Sequence, residues 1–260
     1  TKTLEEAQQN KIDHIVKKLD IKEGQKVLEV GCGWGGMAFE IAKQKKCEVT
    51  GISLSKNQVE YCKRKAKELN LDNQVKFELI DYREAIGKYD RIFSVGMFEH
   101  VGKKFYNKFF KSMNKLLKDD GIFLLHTIGV VDNPTPPNKF INKYIFPGGT
   151  CPSFSQIITP IEKTGLIVCD TETLIRHYDK TLESWLERFM NKKNEVKDLF
   201  DEKFVKMWEY YMASCAAAFR YRDLVVFQLQ IVKKFQSAHR TRDYIYSVSY
   251  THLRAHETMV

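Results

Sequence analysis

Four glycines within six residues form the first segment of the chain that is suited to binding a cofactor. The segment Gly31-Cys32-Gly33-Trp34-Gly35-Gly36 follows an apolar run, 27–30, and precedes a segment with helical periodicity. Glycine lets the backbone turn tightly and approach a ligand closely, while the first turn of a helix offers free N–H groups to anionic atoms. The positions of Gly31, Gly33 and Gly36 also match the spacing of dinucleotide-binding loops. We therefore predict a cofactor-binding turn between a strand and a helix.

The next predicted strand argues against a dinucleotide. Dinucleotide loops are followed, about 20 residues on, by an acidic residue that binds the ribose. The corresponding strand ends in Gly51-Ile52-Ser53-Leu54-Ser55, which contains no carboxylate. Glu29 before the loop and the additional Gly35 within it make this region similar to motif I of class I S-adenosylmethionine-dependent methyltransferases. This resemblance implies a sulfonium cofactor in place of NAD.

Two residues capable of acid–base chemistry, Glu99 and His126, each follow a predicted apolar strand. The carboxyl ends of parallel strands meet at the crevice where α/β sheets bind ligands, so both side chains are expected to project into it. A carboxyl beside a hydrophobic strand end is expected to have a raised pKa. Each residue also has a structural interpretation, His126 as a hydrogen-bonded core histidine and Glu99 as a charge at the start of a helix.

The cysteines indicate the compartment. The six of them (Cys32, Cys47, Cys62, Cys151, Cys169 and Cys215) lack both CxxC and metal-ligand spacing. Scattered thiols of this kind are typical of a reducing compartment. We therefore predict a cytoplasmic protein without a metal site.

The elements that must position these residues alternate between strand and helix. Strands are predicted at 27–30, 48–52, 75–80, 91–95, 122–126, 166–169 and 225–232, and helices at 37–45, 56–69, 104–117, 182–189 and 204–219. Such alternation predicts a doubly wound α/β fold with a mostly parallel, seven-stranded sheet and helices on both faces.

The middle and the end of the chain depart from this alternation. Residues 133–138 (Asn-Pro-Thr-Pro-Pro-Asn) break any regular element, and 144–152 is rich in aromatic residues, Gly and Pro. We predict a helical lid insertion, about 130–165 and 176–222, within a catalytic domain that spans 1–240. Residues 241–260 have no apolar period and are expected to be disordered or foreign to the fold.

Several longer motifs make the resemblance specific to one family. Besides the glycine segment they are Gly51-Ile52-Ser53-Leu54-Ser55-Lys56-Asn57-Gln58, Ser94-Val95-Gly96-Met97-Phe98-Glu99-His100-Val101-Gly102, Phe123-Leu124-Leu125-His126-Thr127-Ile128-Gly129, Ile145-Phe146-Pro147-Gly148-Gly149 and Cys215-Ala216-Ala217-Ala218-Phe219-Arg220. In this order they resemble the catalytic domain of cyclopropane-fatty-acyl-phospholipid synthases, relatives of the mycolic acid cyclopropane synthases. The similarity runs from about residue 4 to residue 240.

The resemblance implies a Rossmann-like fold that binds S-adenosylmethionine. It assigns the methionine and ribose parts of the cofactor to the glycine turn and the end of the second strand, and the adenine to a segment after the third strand. The implied cofactor-binding residues are Glu29, Gly31, Gly33, Gly35, Ser53, Leu54, Gln58, Asp81, Tyr82 and Arg83. Without the resemblance, Ser53 would be interpreted equally well as a strand-end cap.

The resemblance also implies a reaction. Transfer of a methyl group to a carbon–carbon double bond leaves a carbocation, and ring closure then requires a base. In the family that base is a bound bicarbonate, held by residues that correspond to Glu99, His126, Ile128 and Tyr178. Glu99, His126 and Tyr178 are thereby implied as catalytic, although Tyr178 taken alone could be an ordinary core aromatic.

Charge and hydropathy restrict the partners. The chain has 42 Lys+Arg against 33 Asp+Glu, a net charge of +9, and no apolar run approaches the ~18 residues needed to span a bilayer. The basic residues are distributed along the chain, which is typical of a solvated face, so nucleic acid is not the expected partner. The resemblance implies an unsaturated phospholipid substrate and transient peripheral contact with an anionic membrane surface. A homodimer is left open.

Two features depart from the family pattern. A cysteine that contacts bicarbonate in the family lies just upstream of the segment that matches 4–10, and bacterial members carry an N-terminal domain before it, whereas this chain begins at Thr1. A fragment is therefore expected, and an inactive basic module that binds membranes or nucleic acid is an alternative class of function. A related C-methyltransferase that makes a methyl-branched or hydroxylated lipid is the alternative within the same class.

Overall fold

The computed structural model describes residues 3–132 and 138–246. The strands are β1 (Lys26–Val30), β2 (Glu48–Ser53), β3 (Val75–Leu79), β4 (Tyr89–Val95), β5 (Leu117–Val130), β6 (Ile167–Leu174) and β7 (Leu224–Val232). The helices are α1 (Leu4–Leu19), α2 (Gly36–Lys45), α3 (Lys56–Glu68), α4 (Tyr106–Leu116), α5 (Lys139–Tyr144), α6 (Phe154–Glu162), α7 (His177–Asn191), α8 (Lys193–Leu199) and α9 (Glu202–Tyr221). The predicted alternation of strands and helices is confirmed.

The strands form one mixed sheet in the order β3-β2-β1-β4-β5-β7-β6. Strands β3, β2, β1, β4 and β5 pair in parallel, and β7 lies antiparallel to both β5 and β6. This confirms the prediction of a mostly parallel, seven-stranded, doubly wound sheet. The strand order reverses between β1 and β4, and such sheets bind ligands where the order reverses, beyond the carboxyl ends of the strands.

Alternating side chains of the strands supply two cores, one on each face of the sheet. Val27, Phe93 and Leu124 lie on the face covered by α1, α2 and α3. Leu28, Ile92 and other strand residues lie on the opposite face, where the aromatic residues of α4 pack. Because these strands are buried on both faces, their sequences are nearly continuous apolar runs, which is why periodicity located them.

Helix α6 belongs to the second core rather than to a lid. Its residues Ile157 and Ile161 are fully buried beside α4. The insertion predicted over about 130–165 therefore includes a core helix, and the described part that can cover a ligand is the segment 138–152, which contains α5. The Pro-rich break predicted at 133–138 lies outside the described residues except for Asn138, the N-cap of α5.

Helices α7 and α9 pack against each other over the ends of β5, β7 and β6. Their contact is a third apolar cluster, formed by Leu182, Ala216, Phe219 and Val226 with Tyr178 and Cys215 beside it. In the described part of the chain no helix is both long and apolar enough to cross a membrane.

The beginning of the segment 241–260 packs against the sheet. The Tyr244 hydroxyl donates a hydrogen bond to Gln230 Oε1 on β7 over 3.1 Å, and Ile245 is buried. Ordered packing therefore continues past the boundary predicted at 240. Residues 247–260 lie outside the described residues, and their disordered or foreign nature stays a prediction.

Candidate functional site

The glycine turn between β1 and α2 has the geometry that only glycine adopts readily. Gly31, Gly33 and Gly35 have φ angles of 88°, 52° and 78°, respectively. A Cβ atom on Gly35 would lie 2.9 Å from Cys62 Sγ and from a ring carbon of Phe39, whereas one on Gly33 would meet no described atom within 4 Å. The turn is thus packed from below at Gly35 and open above Gly33, so a ligand can approach its backbone.

The end of β2 is organised around Ser53. Its hydroxyl donates to Gln58 Oε1 over 3.1 Å and accepts the Ser55 N–H over 3.1 Å. Ser55 in turn caps α3 through the Gln58 N–H. The neighbouring Leu54 side chain is largely exposed at the same edge. Ser53, Leu54 and Gln58 therefore lie together at the carboxyl end of β2, next to the end of β1.

Glu29 is buried at the base of the glycine turn. Burial raises the pKa of its carboxyl well above the usual range, and hydrogen bonding to Ala38 and the positive charge of Lys11 only partly oppose this effect. One carboxyl oxygen, Oε2, has no hydrogen-bond partner among the described residues. Glu29 is thus a buried acid with spare hydrogen-bonding capacity beneath the turn.

The segment after β3 is arranged differently. Arg83 holds both carboxylate oxygens of Asp81, with Nε and Nη2 at 2.7 and 2.6 Å, and lowers the pKa of that carboxyl. Tyr82 packs edge-on against Phe109, with ring centroids 5.2 Å apart. Asp81 is therefore ion-paired with Arg83. Of the three residues, Tyr82 is the one that offers an apolar surface.

Glu99 lies in a 3₁₀ turn after β4 and completes the hydrogen bonding of β5. On this edge of β5 the Gly96 N–H donates to the His126 carbonyl over 3.0 Å. Beyond the end of β4, the Ile128 N–H instead donates to Glu99 Oε1 over 2.6 Å, and the Val130 N–H donates to Pro152 over 3.0 Å. The carboxyl thus replaces the strand carbonyl that β4 no longer provides, which fixes its position.

The second oxygen of this carboxyl is buried without a partner. Glu99 is 8% exposed, and its Oε2 makes no hydrogen bond with a described residue. Burial raises its pKa, as expected from the sequence, although the Ile128 N–H opposes the shift. A raised pKa favours the protonated acid, which can donate a hydrogen bond from Oε2 to a ligand.

Tyr178, the second residue of α7, faces the same region. Its ring packs 5.0 Å from Phe219, and it shares an apolar cluster with Ile128 and Cys215. Burial raises the pKa of its hydroxyl, and the negative charge of Glu99 raises it further. The structure therefore brings Glu99, Ile128 and Tyr178 into one neighbourhood.

His126 is placed differently from the expectation. It lies in the interior of β5 rather than at its carboxyl end, because β5 continues to Val130 in register with β7. Its Nδ1 is 2.9 Å from Gln228 Nε2 on β7. Burial, reinforced by the positive charges of Lys11, Lys18 and His14, lowers its pKa to about 3. His126 is therefore a neutral imidazole whose hydrogen-bond partner is not Glu99.

Sequence reasoning missed two residues of this region. Lys11 of α1 is close enough to oppose the pKa shift of Glu29 and to deepen that of His126, but its position depends on how α1 packs. Gln228 had a visible signal, since Gln228 and Gln230 interrupt the apolar run Leu224–Val232 at alternate positions of one face. A buried strand with two polar residues on one face indicates specific partners there.

The described ranges contain no group of side chains that could bind a metal ion. Within 3–132 and 138–246, no three His, Cys, Asp or Glu side chains are grouped closely enough to hold a metal ion. The cysteines described there are free thiols.

Sequence comparison relates these features to known proteins. Residues 1–229 match the family model described as mycolic acid cyclopropane synthetase. The cyclopropane-fatty-acyl-phospholipid synthase of Escherichia coli strain K12 is 42% identical over 226 residues, which cover 87% of this chain and 58% of that relative. The chain thus spans less than two thirds of the length of this relative.

Solved structures show the same relationship. The cyclopropane synthase MmaA2 from Mycobacterium tuberculosis gives a TM-score of 0.84 at 32% identity, covering 88% of this chain and 85% of the other. The mycolic acid cyclopropane synthase CmaA1, solved in complex with SAH and CTAB, gives a TM-score of 0.82 at 32% identity with the same coverage. Because the family model extends over most of the sequence and the fold agrees, the chain belongs to the mycolic acid cyclopropane synthetase family.

Proposed function

We propose that this chain carries the catalytic site of an S-adenosylmethionine-dependent enzyme that cyclopropanates cis double bonds in the acyl chains of membrane phospholipids. The observation that carries the proposal is the Glu99 carboxyl, buried, bonded to the Ile128 N–H and left with a free oxygen. Family membership and the E. coli relative support the reaction class.

The cofactor is assigned to the carboxyl ends of β1 and β2. The backbone, which takes positive φ angles at Gly31, Gly33 and Gly35 and is open at Gly33, suits a ligand that lies close to the main chain, and Ser53 and Gln58 offer polar groups beside it. Glu29 beneath the turn, Leu54 at its rim and the segment of Asp81, Tyr82 and Arg83 complete the proposed set. The complex of the related CmaA1 with SAH, the product of methyl transfer from S-adenosylmethionine, supports this cofactor.

The bound cofactor would supply an electrophilic methyl group to the alkene. The proton lost on ring closure must then pass to a base, which we propose to be bicarbonate. Protonated Glu99 can donate to such an anion from Oε2, and neutral His126 and the Tyr178 hydroxyl can donate as well. Because the Ile128 N–H is bonded to Glu99, the main chain at Ile128 would contribute its carbonyl, which can accept the O–H of bicarbonate. Together these groups would hold the anion and exclude water from a cation that water would otherwise quench.

An apolar stripe that begins at Phe200 and continues along α9 offers a path for the acyl chain. Phe200, Phe204 and Trp208 stack in sequence, with ring centroids 4.2 and 5.6 Å apart, and Trp208 lies 5.2 Å from Tyr211. Burial of Tyr211 raises the pKa of its hydroxyl, and Cys215 and Tyr178 add to the shift. The stripe therefore connects an exposed end at Phe200 with the neighbourhood of Glu99. Aromatic faces along such a path also stabilise cations.

The same end of the molecule supports the proposed membrane contact. Helix α5 carries Lys139 and Lys143 beside Phe140 and Tyr144, and Phe140 packs against Tyr210 of α9 at 4.8 Å. Basic and aromatic residues together favour the interface of an anionic membrane. We propose that a cytoplasmic enzyme touches the membrane transiently through this surface; a homodimer is not required by it.

The test is to supply the purified chain with S-adenosylmethionine, bicarbonate and vesicles of a cis-unsaturated phospholipid. We expect S-adenosylhomocysteine together with an acyl product that is heavier by one methylene group. Proton NMR identifies a cyclopropane by its strongly shielded ring methylene. A methyl-branched or hydroxylated product would replace the proposal with the related C-methyltransferase.

Calorimetry supplies an independent arm of this test. The folded chain is expected to bind S-adenosylmethionine in the absence of lipid. Vesicle or nucleic-acid binding without any cofactor binding would contradict the proposal and favour the inactive basic module.

A further inference from the structure

Gln228 is a buried amide beside His126 that the proposed chemistry does not yet use. The two residues are direct cross-strand partners in the antiparallel pairing of β5 with β7. Gln228 is 1% exposed, and its Nε2 lies 2.9 Å from His126 Nδ1. Its Oε1 has no hydrogen-bond partner among the described residues. Among the described residues, the His126 imidazole is therefore the hydrogen-bond partner of the Gln228 side chain.

The surroundings hold Gln228 in place. On its other side it is paired in register with Glu172 of β6. Glu172 Oε2 bonds His14 at 2.7 Å and Lys18 at 2.6 Å, which fastens α1 over this row of the sheet. A side chain fixed between two strands and under a helix has few alternative rotamers.

The proton position on a neutral imidazole decides what His126 can do. With one ring proton, the two nitrogens have opposite roles, one a donor and the other an acceptor. A donor placed at Nδ1 makes that nitrogen the acceptor and leaves the proton on Nε2. An acceptor placed there would select the opposite tautomer, in which Nε2 is a base.

We infer that Gln228 is a positioning residue that donates its Nε2–H to His126 Nδ1 and so holds the proton of His126 on Nε2. His126 would then be a hydrogen-bond donor at Nε2 and not a proton acceptor. This inference rests on the proposed function for its chemical meaning, because a donor at Nε2 suits an anionic base that is held for proton removal. Proton acceptance would fall to that anion.

The experiment reads the tautomer directly. Protein labelled with ¹⁵N-histidine is analysed by long-range ¹H–¹⁵N correlation NMR at neutral pH, and the His126 signals are identified by their loss in His126→Gln. We expect the wild-type pattern of an Nε2–H tautomer. Gln228→Met, of similar shape without a donor, should mix the tautomers, and Gln228→Glu should favour Nδ1–H because a carboxylate only accepts. Gln230→Met is the matched control, since Gln230 is buried on the same face but bonds Lys18 and Tyr244.

An Nδ1–H pattern in the wild type, or His126 signals unchanged in both Gln228 variants, would overturn the inference. The tautomer measurement needs neither substrate nor turnover, so failure of the proposed function appears separately, as absence of product from the wild-type chain. If the wild type is active, Gln228→Met should lower kcat about tenfold to a hundredfold, by analogy with the loss of residues that orient metal-bound histidines, with KM for the cofactor unchanged.

Discussion

At the scale of single residues, the site depends on how one carboxyl is held. Glu99 has one oxygen bound by the Ile128 N–H and one left free in a buried environment. A mobile carboxyl group could turn toward water and ionise. The Glu99 carboxyl is instead fixed to the sheet, and burial raises its pKa. Burial without a cationic partner among the described residues therefore favours the protonated form of this acid, and that form can donate a hydrogen bond to the anion that we propose.

The pH dependence of Glu99 is testable. Its raised pKa means that the protonated, donating form is present below that pKa and is lost as pH rises through it. We expect kcat to fall on this alkaline limb, and Glu99→Gln to abolish the limb, because its amide accepts the Ile128 N–H through Oε1 and can donate from Nε2 at every pH. Glu99→Ala keeps neither group and should lower kcat by about a hundredfold or more. Cofactor affinity, measured by calorimetry, should be unchanged in Glu99→Gln. A wild-type rate in Glu99→Ala would remove Glu99 from the mechanism.

Backbone conformation at the glycine turn leads to a second residue-scale prediction. An alanine at Gly35 would combine a φ of 78° with a Cβ 2.9 Å from Cys62 Sγ. We expect Gly35→Ala to lower the free energy of unfolding by about 1–3 kcal/mol, measured by urea denaturation, and to weaken cofactor binding. Gly36→Ala is the control for stability, since a Cβ there meets no described atom within 4 Å and φ is not positive. Equal stability of the two variants would contradict the account.

At the scale of elements, α1 is fastened to the sheet by charge as well as by apolar contact. Lys18 is fully buried, and its Nζ lies 3.1 Å from Asp170 and 2.6 Å from Glu172 on β6. Burial alone would raise the pKa of Glu172, but the bonds and charges of Lys18 and His14 outweigh it and lower the pKa to about 2. The N-terminal helix and the edge strand of the sheet are thereby joined across the row that includes Gln228 and His126.

Replacing Lys18 should show how much these buried ion pairs contribute to the stability of the fold. Lys18→Met leaves two neighbouring carboxylates without their buried cation, so we expect a loss of about 3 kcal/mol in the free energy of unfolding at pH 7. Lys22→Met, which breaks an exposed pair with Asp20 just after α1, should change stability by less than about 1 kcal/mol. Urea denaturation of both variants makes the comparison, and similar losses would contradict it.

The same ion pairs predict that the free energy of unfolding decreases at acid pH. Glu172 has a lowered pKa, so its charge stabilises the fold above its ordinary pKa of 4.5, and this contribution is lost as pH falls from there through about 2. The wild type should lose stability over this window more steeply than Glu172→Gln. An identical acid profile for the two proteins would show that the pair does not contribute.

The elements themselves were predictable, whereas their cross-strand partners were not. Strands buried on both faces are nearly continuous apolar runs, so β1, β4 and β7 were placed within a few residues. Strand β5 begins at Leu117, well before the predicted start, because Asp119 and Asp120 are tolerated at an exposed end that no apolar pattern marks. The pairing of His126 with Gln228 depends on sheet order and register, which local sequence does not encode.

In the candidate site, too, local motifs were predictable and cross-strand partners were not. The glycine turn and Ser53 were predictable because each is a local motif at a strand end, and the burial of Glu99 followed from its apolar strand. The partner of His126 could not be predicted, because the orientation of its ring depends on the row of β7 and β6 side chains beneath α1.

At the scale of the whole molecule, the two ends of the sheet differ in character. The carboxyl end of β5 pairs with Leu224 and lies beside the apolar cluster of α7 and α9, whereas its other end pairs with Val232. Near that second end, Asp119 forms ion pairs with Lys233 and Lys234. The aromatic stripe and α5 are thus concentrated at the end where the glycine turn and Glu99 lie, which places the proposed membrane contact and the proposed chemistry on one side.

Two surface variants, one at each end of the sheet, test whether membrane contact is confined to one end. Leu199 and Phe200, 77% and 63% exposed, lie at the open end of the α9 stripe, whereas Phe235, 76% exposed, lies near the opposite end of the sheet. We expect Leu199→Gln/Phe200→Gln to weaken co-sedimentation with anionic phospholipid vesicles about tenfold, because inserting an apolar side chain contributes on the order of 1 kcal/mol or more. Phe235→Gln should bind as the wild type does. Equal loss in both, or none in either, would place the membrane contact elsewhere.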